Sequence, residues 1–122
     1  MKLTMEKLNE VASSLSADRV RGLYDTAKEK GGNSGEAAKI GFAMMLIGVL
    51  TTRRIASELG ITADNEVEVT EAMFNKAVGE VISQADDDDS FIKTMETTIF
   101  SLELSTALFG KENDDDSEKA DS

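Results

Sequence analysis

At 122 residues and 13.1 kDa, the chain has room for one compact domain and hardly a second. It holds no Cys, His, Pro or Trp, which excludes a thiol nucleophile, a disulfide, a zinc centre built on Cys or His, and an imidazole base. The net charge of −11 is concentrated: residues 86–89 carry −4, residues 111–122 another −4, and only −3 remains on the rest of the chain. Two short acidic runs on a nearly balanced body do not imitate a nucleic-acid backbone, and the scattered Lys and Arg argue against phosphate binding.

With no Pro, the punctuation comes from Gly and from capping residues. Thr4 opens a first helix with Met5, Leu8, Ala12 and Leu15 at spacings of three and four. Ser16 reads as a new N-cap, with Asp18 in the first turn and a stripe of Ala17, Val20, Tyr24 and Ala27, closed by Gly31 and Gly32. Ser34 caps a third segment through Ile40, Met44, Ile47, Leu50 or Thr51, and Ile55 to Leu59, where Gly60 suits the left-handed C′ position and Ile61 the apolar C″ position. Residues 40–50 of this segment are apolar nearly all round, the pattern of a helix buried on several sides.

Val67 and Val69 alternate with Glu66, Glu68 and Thr70, the period of a short strand, but no partner strand is found elsewhere in the sequence, so residues 62–69 read as loop. Thr70 caps a fourth helix with Phe74, Ala77, Val78, Val81 and Ala85 on one face. The aspartates at 86–89 and Ser90 then cap a fifth, carrying Phe91, Ile92, Met95, Ile99, Leu102, Leu108 and Phe109 and ending at Gly110. Beyond it only Ala120 is apolar, too little to offset the entropy of ordering. The expectation is an all-α fold of about five helices in one domain, residues 1–110, with a disordered acidic tail, residues 111–122.

No catalytic, cofactor-binding or metal-binding residue emerges. The aspartates at 86–89 lack the alternation, central Gly and closing Glu of a calcium loop. The glycines at 31, 32 and 35 lack the Lys and the preceding strand of a phosphate cradle. Residues 53–62 end as the first helix of a helix-turn-helix does, yet the next helix starts only at Thr70 and carries just Lys76 as a base. Glu96 and Glu103, seven apart, lie on one helix face two turns from each other. The eleven-residue apolar run at 40–50 is about half of the roughly 20 needed to span a bilayer, and no signal peptide opens the chain, so a cytoplasmic protein is expected. The six Met are the adaptable residues of promiscuous peptide-binding surfaces. Met44, Met45, Ile47 and Phe109 are the candidate partner-binding residues.

The order of features resembles the tail assembly chaperones of long-tailed bacteriophages of Gram-positive hosts. The similar stretches are Met-Lys-Leu-Thr-Met-Glu-Lys at the start, Gly-Glu-Ala-Ala-Lys-Ile-Gly leading to an apolar helix, a Leu-Gly-Ile turn, Val-Thr-Glu-Ala-Met-Phe, and a last apolar helix before a charged tail. They span most of residues 1–110. The resemblance implies a non-catalytic protein of the host cytoplasm, without cofactor, that coats the tape measure protein, helps recruit tail tube protein, and can form a homo-oligomer. It also implies a frameshifted longer product; a ribosomal slip could occur where Gly110 and Lys111 are encoded. Neither nucleic acid nor membrane is an expected partner. The rival from another class is a small phage-encoded acidic inhibitor that engages a basic surface on a host defence or nucleic-acid-binding protein.

Overall fold

The computed structural model describes residues 1–32, 34–85 and 91–110. Both acidic runs lie outside them, and with them the expected helix cap at 86–89 and the expected disorder of 111–122. Four α-helices and a two-stranded ribbon make up the described residues, in the order β1 (Lys2–Thr4), α1 (Met5–Glu29), α2 (Ser34–Leu59), β2 (Glu66–Glu68), α3 (Glu71–Ala85) and α4 (Phe91–Ser105), followed by a π-helical turn, Thr106–Gly110.

Helix α1 starts where the sequence predicts, with the Lys7 N–H donating to Thr4 Oγ1 at 3.1 Å, a bond that satisfies one of the orphan amides of a first turn. It does not stop at Ser16. The two helices expected over residues 4–30 are one, because Ser16 lies inside α1 where α2 crosses, and a small residue is what that crossing needs. The end of α1 is a Schellman turn: Gly31 sits at φ 66°, its N–H donates to Lys28 O, and the Gly32 N–H donates to Ala27 O at 2.7 Å. Helix α2 closes the same way, with Gly60 at φ 74°, the Ile61 N–H bonded to Ala56 O at 2.9 Å, and Ile61 buried.

The segment expected as loop contains a strand. β2 pairs antiparallel with β1 in the register Lys2↔Glu68, Leu3↔Val67 and Thr4↔Glu66, and the Val69 N–H donates to Met1 O at 2.8 Å. The missing partner was the start of the chain, some sixty residues away, and a non-local pairing leaves no mark on local periodicity. The ribbon drops Leu3 and Val69 into the core.

That core joins Leu8, Ile55, Phe74, Val81 and Leu104 around the ribbon, with Phe109 against Phe74 at a ring-centroid distance of 5.6 Å. Helix α3 presents the expected face, Phe74, Ala77, Val78 and Val81, all buried, behind a Thr70 cap that accepts from the Met73 N–H at 3.1 Å. Helix α4 is rotated from the expected stripe. Thr97, Phe100, Ser101 and Leu104 are buried, whereas Phe91, Met95 and Leu102 are exposed. The sequence carries two apolar rows there, and the π-helical turn favours the one that brings Leu108 and Phe109 inward together.

Helix α2 lies against α1, α3 and α4, but residues 40–50 are not buried on several sides. Phe42 is 65% exposed, Leu46 48% and Leu50 44%, while Gly41 and Gly48 face inward. Its Gly35–Leu59 stretch, with mean hydropathy 1.3, is long and apolar enough to cross a bilayer, contrary to the expectation from the eleven-residue run. In this fold Thr51, Thr52, Ile55 and Ala56 of that stretch are buried against the other elements.

A Cβ on Gly48 would stand 3.0 Å from Ser16 Oγ and 3.1 Å from Phe100 Cε2. Phe100 is buried, so its ring or the Ser16 hydroxyl must shift by a few tenths of an ångström to admit a methyl group. Gly48→Ala therefore gains about 1 kcal/mol of helix propensity and loses roughly 1–3 kcal/mol to overpacking. A lower midpoint of urea unfolding with unchanged slope is the expected result.

Arg19 ties α1 to α4. Its Nη1 donates to Glu103 Oε1 at 3.1 Å and its Nη2 to Glu96 Oε2; the seven-residue spacing of the two acids lets one guanidinium reach both. Arg19 and Glu96 are mostly buried, Glu103 less so. Arg19→Met strands Glu96 beside Glu103 and is expected to cost about 2 kcal/mol in chemical denaturation. Glu103→Gln, on the wetter side, is expected to cost under about 1 kcal/mol.

Candidate functional site

Helices α1 and α2 touch closely at Gly48 and diverge beside it, leaving a groove of about 540 Å³. One face of α1, residues 5, 9, 12, 13, 16 and 17, lines one wall at spacings of three and four. Met45, Val49 and Arg53 of α2 line the other, above Gly48 and Thr52. The floor is made of small residues, Ala12, Ser16 and Gly48, because those residues let the helices approach. The rims are long and flexible, Met5 on one side and Met45 on the other.

Such a groove can receive apolar side chains from a helix laid along it. Thioether side chains adapt to irregular shapes with little cost. Asn9 and Ser13 add hydrogen-bonding capacity at the rim, and Arg53 adds a cation at one end. A groove whose exposed area is mostly apolar, with Asn9, Ser13, Ser16, Thr52 and Arg53 as its polar points, suits the helix-in-groove type of binding.

The four candidate residues from the sequence do not come together. Met45 is exposed, at 46%, and lines the groove. Met44 and Ile47, on other sides of α2, are half-buried. Phe109 is buried in the core against Phe74, so in this structure it is a packing residue and presents no surface to a partner. Sequence reading missed the α1 wall, whose Ala and Ser residues carry no apolar signal. It also missed Phe42, Leu46 and Val49, the row α2 turns outward, and of the two alternatives it offered for the inward stripe Thr51 is buried and Leu50 exposed.

None of the protein-family models matches this chain, and neither do curated proteins or solved structures.

Because Met45 is about half exposed, Met45→Asp removes a groove wall without placing a charge in the core. Its unfolding free energy is expected to stay within about 1 kcal/mol of the parent, whereas Leu104→Asp, at a fully buried position, is expected not to fold. Circular dichroism with urea titration separates the two.

Proposed function

We propose that this protein is a non-catalytic chaperone that holds apolar helical segments of a client in the α1–α2 groove, and that the client is the tape measure protein of a long-tailed phage, with tail tube protein recruited afterwards in the host cytoplasm. The observation that carries the reading is the groove itself: about 540 Å³ between Met5 and Met45, over a floor of small residues. A tape measure is a long helical chain with recurrent apolar stretches, as the resemblance implies. A site that binds through thioethers and small side chains tolerates many such stretches without demanding one sequence. The rival reading, an acidic inhibitor, depends on residues 86–89 and 111–122, outside the described residues, and makes no use of the groove.

Co-expression with the cognate tape measure is the test. The expected result is a soluble complex containing several copies of this chain per tape measure, weakened little by salt because apolar burial drives it. Met45→Asp is expected to lower binding at least tenfold, and a chain ending at Gly110 to bind as the full chain does. Failure of the folded full-length protein to bind the tape measure sinks the reading.

A further inference from the structure

The outward side of α2 carries a second apolar surface, which adjoins the groove and shares Val49 and Arg53 with its wall. Lys39, Phe42, Leu46, Val49 and Arg53 follow one another at spacings of three, four, three and four, the a/d rhythm of a helix that pairs with another helix. Phe42, Leu46, Val49 and Leu50 are 44–65% exposed, and among the described residues no element covers them. Four large side chains at about half exposure amount to roughly 300–400 Å² of apolar area, the size of the largest patch on a typical monomer, usually a functional one. With the stems of Lys39 and Arg53 at its ends, the strip offers roughly 500 Å² per copy, or about 1,000 Å² for a pair, the lower end of what a specific interface buries.

Charge selects the occupant. Residues 17–47, which hold the hairpin tip and half of the seam, contain five bases (Arg19, Arg21, Lys28, Lys30, Lys39) and four acids (Asp18, Asp25, Glu29, Glu36), a net +1, so the rest of the chain carries −12. The stretch that carries half of the seam thus adds no net negative charge of its own to the contact between two copies. Direction follows from the same residues. A parallel pair would set Lys39 against Lys39 and Arg53 against Arg53. An antiparallel pair with Phe42 opposite the second copy's Leu46 places Arg53 beside the second copy's Glu36, and Lys39 over Val49. In the single chain Glu36 has only an exposed contact of 3.9 Å with Lys39.

We propose that α2 pairs antiparallel with α2 of a second copy along Phe42, Leu46 and Val49, making the protein a two-fold symmetric dimer. The pairing stands on the exposed row alone and does not rest on the client reading. Because Val49 and Arg53 also line the groove, pairing competes with a client for them, while Met45 and the α1 wall lie outside the seam.

Light scattering after size exclusion at about 100 μM is expected to give twice 13.1 kDa for the native chain. Leu46→Asp is expected to give a single copy with an unchanged circular dichroism spectrum, since the residue is exposed. The chain has no Cys, so any thiol crosslink in a single-Cys variant joins two molecules. Ala43→Cys, beside the proposed axis, is expected to give a covalent dimer with a short bis-maleimide, and Lys76→Cys, exposed on α3, is not. A monomeric native chain, a Leu46→Asp variant that folds and still dimerises, or equal crosslinking of the two Cys variants overturns the proposal. A monomer that instead floats with phosphatidylcholine vesicles also overturns it, and assigns the seam to a membrane.

Discussion

Helices α1, α2 and α4 come into close contact at Gly48 because residue 48 has no side chain. Ser16 Oγ and the Phe100 ring occupy the space a Cβ would need, at 3.0 and 3.1 Å, and that distance fixes how near the two long helices lie. Everything along the hairpin follows from this crossing. On one side the helices close down on Val20 and Leu23, where Gly41 lets Val20 Cγ1 approach to within 3.2 Å of a Cβ position. On the other they part, and the groove between Met5 and Met45 opens. The groove floor and the tight crossing share the same small residues, so neither can be altered without the other.

The side of α2 that meets the rest of the domain is built from small and polar residues: Gly41, Gly48, Thr51, Thr52 and Ala56 are all buried. Thr52 Oγ1 resolves its own polarity by donating to Gly48 O at 2.7 Å, a back-bond a helix accepts at slight cost. Across from it α4 offers Thr97 and Ser101, both buried, and Ser101 Oγ has no partner among the described residues. Close approach of backbones takes the place of large interdigitating side chains here. Apart from Ile55, which is fully buried, the large side chains Phe42, Leu46, Val49 and Leu50 of α2 are on its outer surface, against the usual relation between size and burial.

That inversion explains what the sequence made legible. Caps and ends depend on one or two residues and their local geometry, and Thr4, Thr70, Gly31 and Gly60 all stand where their chemistry places them. The α3 face was legible because that helix has one apolar row and one destination. Helices α2 and α4 each have two rows, and periodicity alone cannot say which row turns inward. Ser16, a good cap by type, became a packing residue because of Gly48, thirty-two positions away. The β1–β2 pairing was invisible for a similar reason. Of the candidate site, Met45 was legible from residue type, the α1 wall was not, and Phe109 was drawn into the core by a π-helical turn with no recognised sequence signature.

The placement of Phe100 also has a consequence in time. The α1–α2 hairpin is complete at Leu59, whereas the ring that covers its crossing arrives roughly forty residues later. At typical synthesis rates of about 5–20 residues per second, that is about 2–8 s. During this interval the emerging hairpin has two uncovered faces, the inner one awaiting α4 and the outer one carrying Phe42 and Leu46, while β1 has no strand to pair with until residues 66–68 appear. On a polysome, neighbouring nascent chains hold such hairpins close together at high local concentration. The outer faces are then in a position to meet before either domain has closed, so encounter between copies can precede completion of the fold.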